Sequence, residues 1–332
     1  MLEHGGRLRR AARTYDIPLD AWLDLSTGLA PWPWPLPEIP ASAWARLPEP
    51  DDGLVEAACA YYRAPAVLPV AGSQAAIQAL PTLRAPSRVA VLAPCYAEHA
   101  LAWRRAGHEV RELDEEQIAA GLDSLDVLVV VNPNNPTGLQ LPPARLLDWH
   151  GRLERRGGWL VADEAFMDAT PGLSLAPYSD LPGLIVLRSF GKFFGLAGLR
   201  LGFVLAAPDL LARLDEHLGP WTVNGPSRHL ARQVLADVAA HERQRQALLQ
   251  AGDRLATLLT AHHLPPSGGC ALFQLLRRPD AAALHEHLAR QAVFTRLFPD
   301  LGALRFGLPA DESGWQRLDQ GLARYRSSLW VP

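Results

Sequence analysis

Ser189-Phe-Gly-Lys192-Phe-Phe-Gly-Leu-Ala-Gly-Leu-Arg200 sets one lysine between a hydroxyl and an arginine in a glycine-rich turn. A lysine that is to form a Schiff base must be a neutral amine, a state favoured by neighbouring cations or by desolvation. An accompanying phosphate needs donors and positive charge, which Ser189 and Arg200 carry. The segment therefore reads as a seat for a phosphorylated aldehyde. Gly191-Lys192 also invites comparison with a nucleotide P-loop, but Val186 stands where the first glycine of G-x-x-x-x-G-K-[ST] belongs and Phe193 where Ser or Thr belongs.

Two upstream segments complete the pattern. Asn132-Pro-Asn-Asn135-Pro-Thr-Gly138 follows the apolar run Val127-Leu-Val-Val-Val131, and Asp163-Glu-Ala-Phe166 follows Trp159-Leu-Val-Ala162. Each polar group stands just beyond a buried strand, the edge of an open α/β sheet where ligands bind. A carboxylate there can pair with a protonated pyridine nitrogen, which makes pyridoxal phosphate (PLP) an electron sink. Taken alone, the first segment is an Asn-Pro-Gly turn and Asp163 a helix N-cap. The three in this order specify the cofactor.

These residues resemble the fold-type I PLP enzymes, within the class I/II aminotransferase family: an α/β fold with a mainly parallel sheet between helices and a small C-terminal α/β domain. The resemblance implies that Lys192 carries the imine, Asp163 pairs with the pyridine nitrogen and Asn135 contacts the ring hydroxyl. Tyr96, after the strand Val89-Ala-Val-Leu-Ala93, sits where the family stacks an aromatic ring on the cofactor. Gly72-Ser73-Gln74 opens a helical pattern, so its backbone N–H groups can cradle the phosphate together with Ser189 and Arg200. Arg305, in Leu-Arg-Phe-Gly, resembles the arginine that grips the substrate α-carboxylate.

Two positions depart from the family pattern. Phe166 stands where the aminotransferases carry a tyrosine that tunes the ring oxygen, and Leu47, in Arg46-Leu-Pro-Glu-Pro50, replaces the tyrosine sent into a neighbouring subunit's site. Both departures speak against plain transamination. The opening His4-Gly5-Gly6 suits a flexible arm closing over an anion; together with Gly-Ser-Gln-Ala-Ala-Ile77 and the lysine segment it resembles the threonine-phosphate decarboxylases of cobalamin biosynthesis. That likeness implies decarboxylation of a small phosphorylated amino acid, L-threonine O-3-phosphate, to (R)-1-amino-2-propanol O-2-phosphate. It makes His4, Gly5, Gly6, Ser26, Thr27, Gly28, Asn135, Arg296 and Arg305 the substrate-binding candidates. The alternative is a histidinol-phosphate aminotransferase, similar in fold and different in reaction.

Composition is that of a metabolic enzyme. With 332 residues, 48% of them hydrophobic, the chain can build one large or two modest domains around an ample core. A net charge of −3 gives no basic footprint for nucleic acid, and Arg7-Leu-Arg-Arg10 is read as a solvated helix face. No apolar run approaches the ~20 residues that cross a membrane, and no signal peptide is expected ahead of His4. Cys59, Cys95 and Cys270 lack metal-ligand spacing and cannot all pair, which fits a reducing cytoplasm. The expected organisation is an arm over residues 1–45, a PLP-binding domain over 46–230, and a linking helix with a small domain over 231–332. Alternating prolines predict an extended Pro31–Pro37, and the Trp and Pro content of the arm suggests a homodimer contact. One continuous helix is predicted from Ala231 to Leu259.

Overall fold

The structure, a computed structural model, describes residues 4–328; Leu2 and Glu3, ahead of the His-Gly-Gly segment, lie outside the described residues. The chain divides into two compact units: Trp34–Asn135 with Leu139–Gln244, and the N-terminal residues to Pro33 with Pro136–Gly138 and the chain from Arg245. In chain order the strands are Leu23–Asp24 (β1), Leu68–Val70 (β2), Arg88–Leu92 (β3), Glu109–Leu113 (β4), Val127–Val131 (β5), Trp159–Asp163 (β6), Leu184–Ser189 (β7) and Gly202–Leu205 (β8). They continue with Gly268–Cys270 (β9), Phe273–Arg277 (β10), Val293–Phe294 (β11), Arg296–Phe298 (β12) and Ala303–Gly307 (β13).

The larger unit is built on a seven-stranded sheet in the order β2-β8-β7-β6-β5-β3-β4. Strands β4, β3, β5, β6 and β7 run parallel, and β8 turns back antiparallel between β7 and β2. Parallel strands are buried on both faces and so read as continuous apolar runs; every residue of β5 and β6 is buried. Alternate side chains such as Val89, Val127, Val161 and Ile185 share one core cluster with Ile77, Trp103 and Leu211 of the covering helices. That alternation fixes the register, since a slip of one residue would exchange the two faces.

The smaller unit holds a four-stranded antiparallel sheet, β12-β13-β10-β9, and a parallel pair in which Leu23 and Asp24 of β1 lie opposite Val293 and Phe294 of β11. The helix Leu8–Tyr15 packs Ala11 against Trp22, Ala289 and Ala292.

Two local expectations need correction. The predicted helix from Ala231 is two helices, Gly225–Ala236 and Val238–Ala261. Asp237 leaves helical geometry at ψ 74° and its carboxylate accepts from the Ala240 N–H at 3.1 Å, so the break is a capped start rather than a kink. Trp34, read with the dimer surface, is buried in the larger unit: its N–H donates to the Phe194 carbonyl at 2.9 Å and its ring meets Phe194 and His241.

Beneath the ends of β6 and β7 lies a buried ionic cluster. Arg188 donates from Nη1 to Glu164 and from Nη2 to Asp168, each at 2.8 Å, and its guanidinium stacks 4.6 Å above the Tyr62 ring. Ser174 Oγ and the Leu175 N–H complete the shell of Glu164. Burial works against the arginine's charge, but Asp168 and Glu164 outweigh it and raise the guanidinium pKa above its ordinary value. Removing one member of such a cluster leaves buried charge without compensation. Arg188→Met should therefore cost about 3–5 kcal/mol of folding stability, read as a lower urea midpoint; a midpoint equal to the parent's would show that the cluster is dispensable.

Candidate active site

In the larger unit the strand ends deliver the residues that the sequence singled out. Gly72, at φ +75°, turns the chain from β2 into the helix Ser73–Ala79. A Cβ on Gly72 would come within 2.9 Å of Arg200 Nη2, and one on Gly202 within 2.5 Å of the Ser73 nitrogen. Gly72 thus needs glycine for its left-handed backbone beside Arg200, and Gly202 needs it for the close approach of β8 to the Ser73 nitrogen. Gly202 also lies opposite Ser189 in the β7–β8 ladder. Ser73, Ser189 and Arg200 consequently surround one small turn whose first helical N–H groups have no carbonyl partner within the helix.

Asp163 ends β6 buried, and one of its carboxylate oxygens lies 2.8 Å from His99 Nε2. The other oxygen accepts from the Ala165 N–H at 3.1 Å. Sequence reading missed His99, a single histidine in the helical pattern Glu98–Arg105 whose partner is 64 positions away. Tyr96 lies edge-on to His99 and donates from its hydroxyl to Gln74 Oε1 at 3.1 Å. Burial first, then Glu98 and Asp163, push that phenol up to about 12, so it stays a donor across the working pH range.

The asparagines divide their labour. Asn132 is fully buried and exchanges two bonds with the Leu141 backbone, at 3.0 and 2.8 Å, while Asn134 donates to the Pro94 carbonyl at 2.8 Å. Those two hold the loop, and Asn135 beside them is half-buried. Lys192 is half-buried as well, its Nζ 5.7 Å from the centroid of Phe166. A hydroxyl-free ring is therefore what the lysine amine meets at this position. A glycine turn into a helix beside Ser189 and Arg200, a buried carboxylate held by a histidine and a half-buried lysine match PLP group by group: its phosphate, its pyridine nitrogen and its aldehyde.

The remaining candidates belong to the smaller unit. The Gly6 N–H donates to Ser26 Oγ at 2.8 Å, Ser26 donates to Asp24, and a Cβ on Gly5 would overlap the Ser26 carbonyl oxygen. Gly5 therefore serves close packing, and Gly6 supplies a left-handed backbone at φ +76°. Thr27 is approached equally closely, its carbonyl lying where a Cβ on Gly307 would fall, and Gly28 is buried. Arg305 is buried in β13 and donates from Nη2 to the Ser26 carbonyl at 3.0 Å. Burial lowers its pKa to about 10, Arg296 adding to the effect and Cys270 opposing it, which still leaves it charged at neutral pH.

Arg296 of β12 is the register partner of Arg305. Directly opposed residues of an antiparallel pair share a face, so the two guanidinium groups belong to the same side of this sheet. Beside them a cavity of about 200 Å³ is lined by His4, Ser26, Thr295 and Arg296 together with Arg7 and Arg10. His285 in its wall lies with Nδ1 2.8 Å from Thr295 Oγ1. Burial holds that imidazole below its ordinary value, Arg296 adding to it against Glu286.

The sequence model described as aminotransferase class I and II matches residues 42–310. A Pseudomonas aeruginosa protein named threonine-phosphate decarboxylase is 64% identical over 98% of both chains. A Sinorhizobium protein of the same name is 43% identical over 97% of both. The crystal structure of a histidinol-phosphate aminotransferase from Clostridium acetobutylicum superposes with a TM-score of 0.80 at 21% identity, covering 92% of this chain and 99% of that one, a likeness of fold. Among the described residues, no helix is long and apolar enough to cross a membrane.

The bond between His99 and Asp163 can be tested directly. His99→Phe keeps a ring and removes the nitrogen; since a hydrogen bond to a charged group is worth about 1.5–3 kcal/mol, PLP should be held roughly tenfold or more weaker. Titration of the apoprotein followed by cofactor absorbance measures this, and an unchanged dissociation constant would remove His99 from the site.

Proposed function

The chain belongs to the aminotransferase class I and II family, and we propose that within it the chain is a PLP-dependent carboxy-lyase converting L-threonine O-3-phosphate to (R)-1-amino-2-propanol O-2-phosphate and CO2. The observation that carries this reading is the register pairing of Arg296 with Arg305 beside a cavity rich in cations. A phosphorylated amino acid brings two anionic groups to two cationic stations. Kinship with the proteins named threonine-phosphate decarboxylase supports the same substrate. The product suits the linker of the cobalamin nucleotide loop, made in the cytoplasm.

Lys192 through Nζ, Asp163 at the ring nitrogen, Asn135 at the ring hydroxyl and Tyr96 at the ring face would hold the cofactor, with the turn at Gly72, Ser73 and Gln74, Ser189 and Arg200 at its phosphate. Bound there, PLP supplies a ring that accepts the electron pair released at the substrate Cα. Arg305 grips the carboxylate through its planar fork. His4, Ser26 with its neighbours, and Arg296 hold the phosphate. Two anchors at opposite ends fix rotation about Cα, and such orientation can be worth about 7–11 kcal/mol of the barrier. Held so that the bond to the carboxylate, rather than the Cα–H bond, is the one weakened, the substrate loses CO2. Lys192 Nζ then delivers a proton to Cα. The exposed Leu36, Trp44 and Leu47 of the larger unit suit the contact surface of a homodimer.

Incubation with L-threonine O-phosphate should release CO2 with no oxo-acid added, whereas histidinol phosphate plus 2-oxoglutarate should give no glutamate; glutamate formation without CO2 release would overturn the reading. Lys192→Ala should abolish both turnover and the visible absorbance of the bound cofactor. Arg305→Gln should keep the absorbance and raise KM at least roughly tenfold.

A further inference from the structure

Gln74 uses its backbone and its side chain for different neighbours. The backbone is the second residue of the helix Ser73–Ala79, in the turn assigned above to the cofactor phosphate. The side-chain amide bridges two residues of the following strand-to-helix connection in the same unit. Its Oε1 lies 3.1 Å from the Tyr96 hydroxyl and its Nε2 3.2 Å from Glu98 Oε2. Gln78, one turn further along the helix, donates to the same Glu98 oxygen at 3.3 Å.

The chemistry of the groups fixes the direction of each bond. Glu98 meets the amide through a carboxylate oxygen, which accepts, so the amide must present its nitrogen there and its oxygen to Tyr96. That amide oxygen also accepts, so the phenol donates its proton to Gln74. With the amide reversed, two acceptors would face each other at Glu98. The bond from amide to carboxylate is of the stronger, charge-assisted kind, and it polarises the amide toward a better acceptor for the phenol. Glu98 itself is the first residue of the helix Glu98–Arg105, where the helix dipole favours an acid. Tyr96 is thus tied at its hydroxyl by Gln74 and met edge-on by His99, with ring centroids 6.1 Å apart.

We propose that Gln74 and Glu98 are positioning residues for the cofactor: their bridge places the Tyr96 ring and ties it to the turn that holds the PLP phosphate. The proposal rests on the PLP site of the reading above and not on the reaction assigned to it. One side chain then locates both the face on which the cofactor ring lies and the cradle of its phosphate. With its proton given to Gln74, the Tyr96 hydroxyl has none to offer PLP, and it acts on the cofactor through the ring that it places. Phenylalanine at this position would keep the stacking surface and lose the placement.

The test titrates apoprotein with PLP and records, at saturation, the visible circular dichroism per bound cofactor. PLP is achiral, so that signal reports how the site holds its ring. Tyr96→Phe and Gln74→Leu should each weaken PLP about two- to tenfold, the worth of one neutral hydrogen bond, and change the dichroism. Their double variant should lose no more than the larger single loss, because both cut one bridge. Glu98→Gln keeps an oxygen acceptor for the Gln74 amide and should retain the dichroism, whereas Glu98→Leu should change it. Gln78→Leu, which loses a bond to Glu98 without touching Tyr96, should stay within about twofold of the parent. Losses that multiply in the double variant, or a Gln74→Leu protein with parental affinity and dichroism, would overturn the proposal. Where Gln74→Leu does not fold, Tyr96→Phe decides, since it removes a single oxygen atom; parental affinity and dichroism there overturn the proposal equally. A parent that binds PLP but releases no CO2 from L-threonine O-phosphate removes the reaction and leaves the bridge, and a decarboxylating parent with multiplying losses removes the bridge alone.

Discussion

One buried guanidinium mounts the site of the larger unit. Arg188 lies immediately before Ser189 and four residues before Lys192, while its partner Glu164 immediately follows Asp163. The strand end that carries the lysine and the strand end that carries the aspartate are thus pinned to each other through one side chain. Three charges taken out of water are tolerated only when their hydrogen bonds are made in good geometry. A buried network of this kind leaves the backbone around it one low-energy arrangement. Its contribution is position, and the reacting groups inherit that position from the neighbours that hold them.

Electrostatics of the opposite sense shape the smaller unit. There Arg296 and Arg305 face each other in register and two further arginines approach from the N-terminal helix. The larger unit balances its buried charge within one ionic cluster, whereas in this unit arginines line a cavity whose described wall residues include no carboxylate. The first arrangement holds a shape, and the second is the place proposed for an anionic part of the substrate.

Much of this was legible in the sequence because strands buried on both faces leave a plain signal. Val127–Val131 and Trp159–Ala162 are uninterrupted apolar runs, and the polar residue ending each marks a sheet edge. Lysine, aspartate and asparagine could be placed because each follows such a run. His99 could not be, since its partner comes from a distant strand and nothing local distinguishes it from any half-buried helical histidine. Arg188 did leave a trace: a charge at the end of Leu184-Ile-Val-Leu demands buried counter-ions, and Glu164 and Asp168 supply them. The glycines after His4 were ambiguous because glycine serves both mobility and close approach, and at Gly5 the Ser26 carbonyl shows the second. The break at Asp237 was hidden by the absence of proline; an aspartate three residues ahead of Ala240 was the cue.

The discontinuity of the smaller unit constrains how the protein is made. Its residues up to Pro33 leave the ribosome ahead of the larger unit, yet β1 finds its pairing partner only at Val293 and Phe294. Domains generally form as units during synthesis, N-terminal parts first, but here the earlier segment must wait while the chain from Trp34 to Gln244 is translated and can collapse on its own sheet. Until then the apolar face around Ala11 and Trp22 lacks Ala289 and Ala292, a nascent surface suited to chaperones rather than to the finished enzyme.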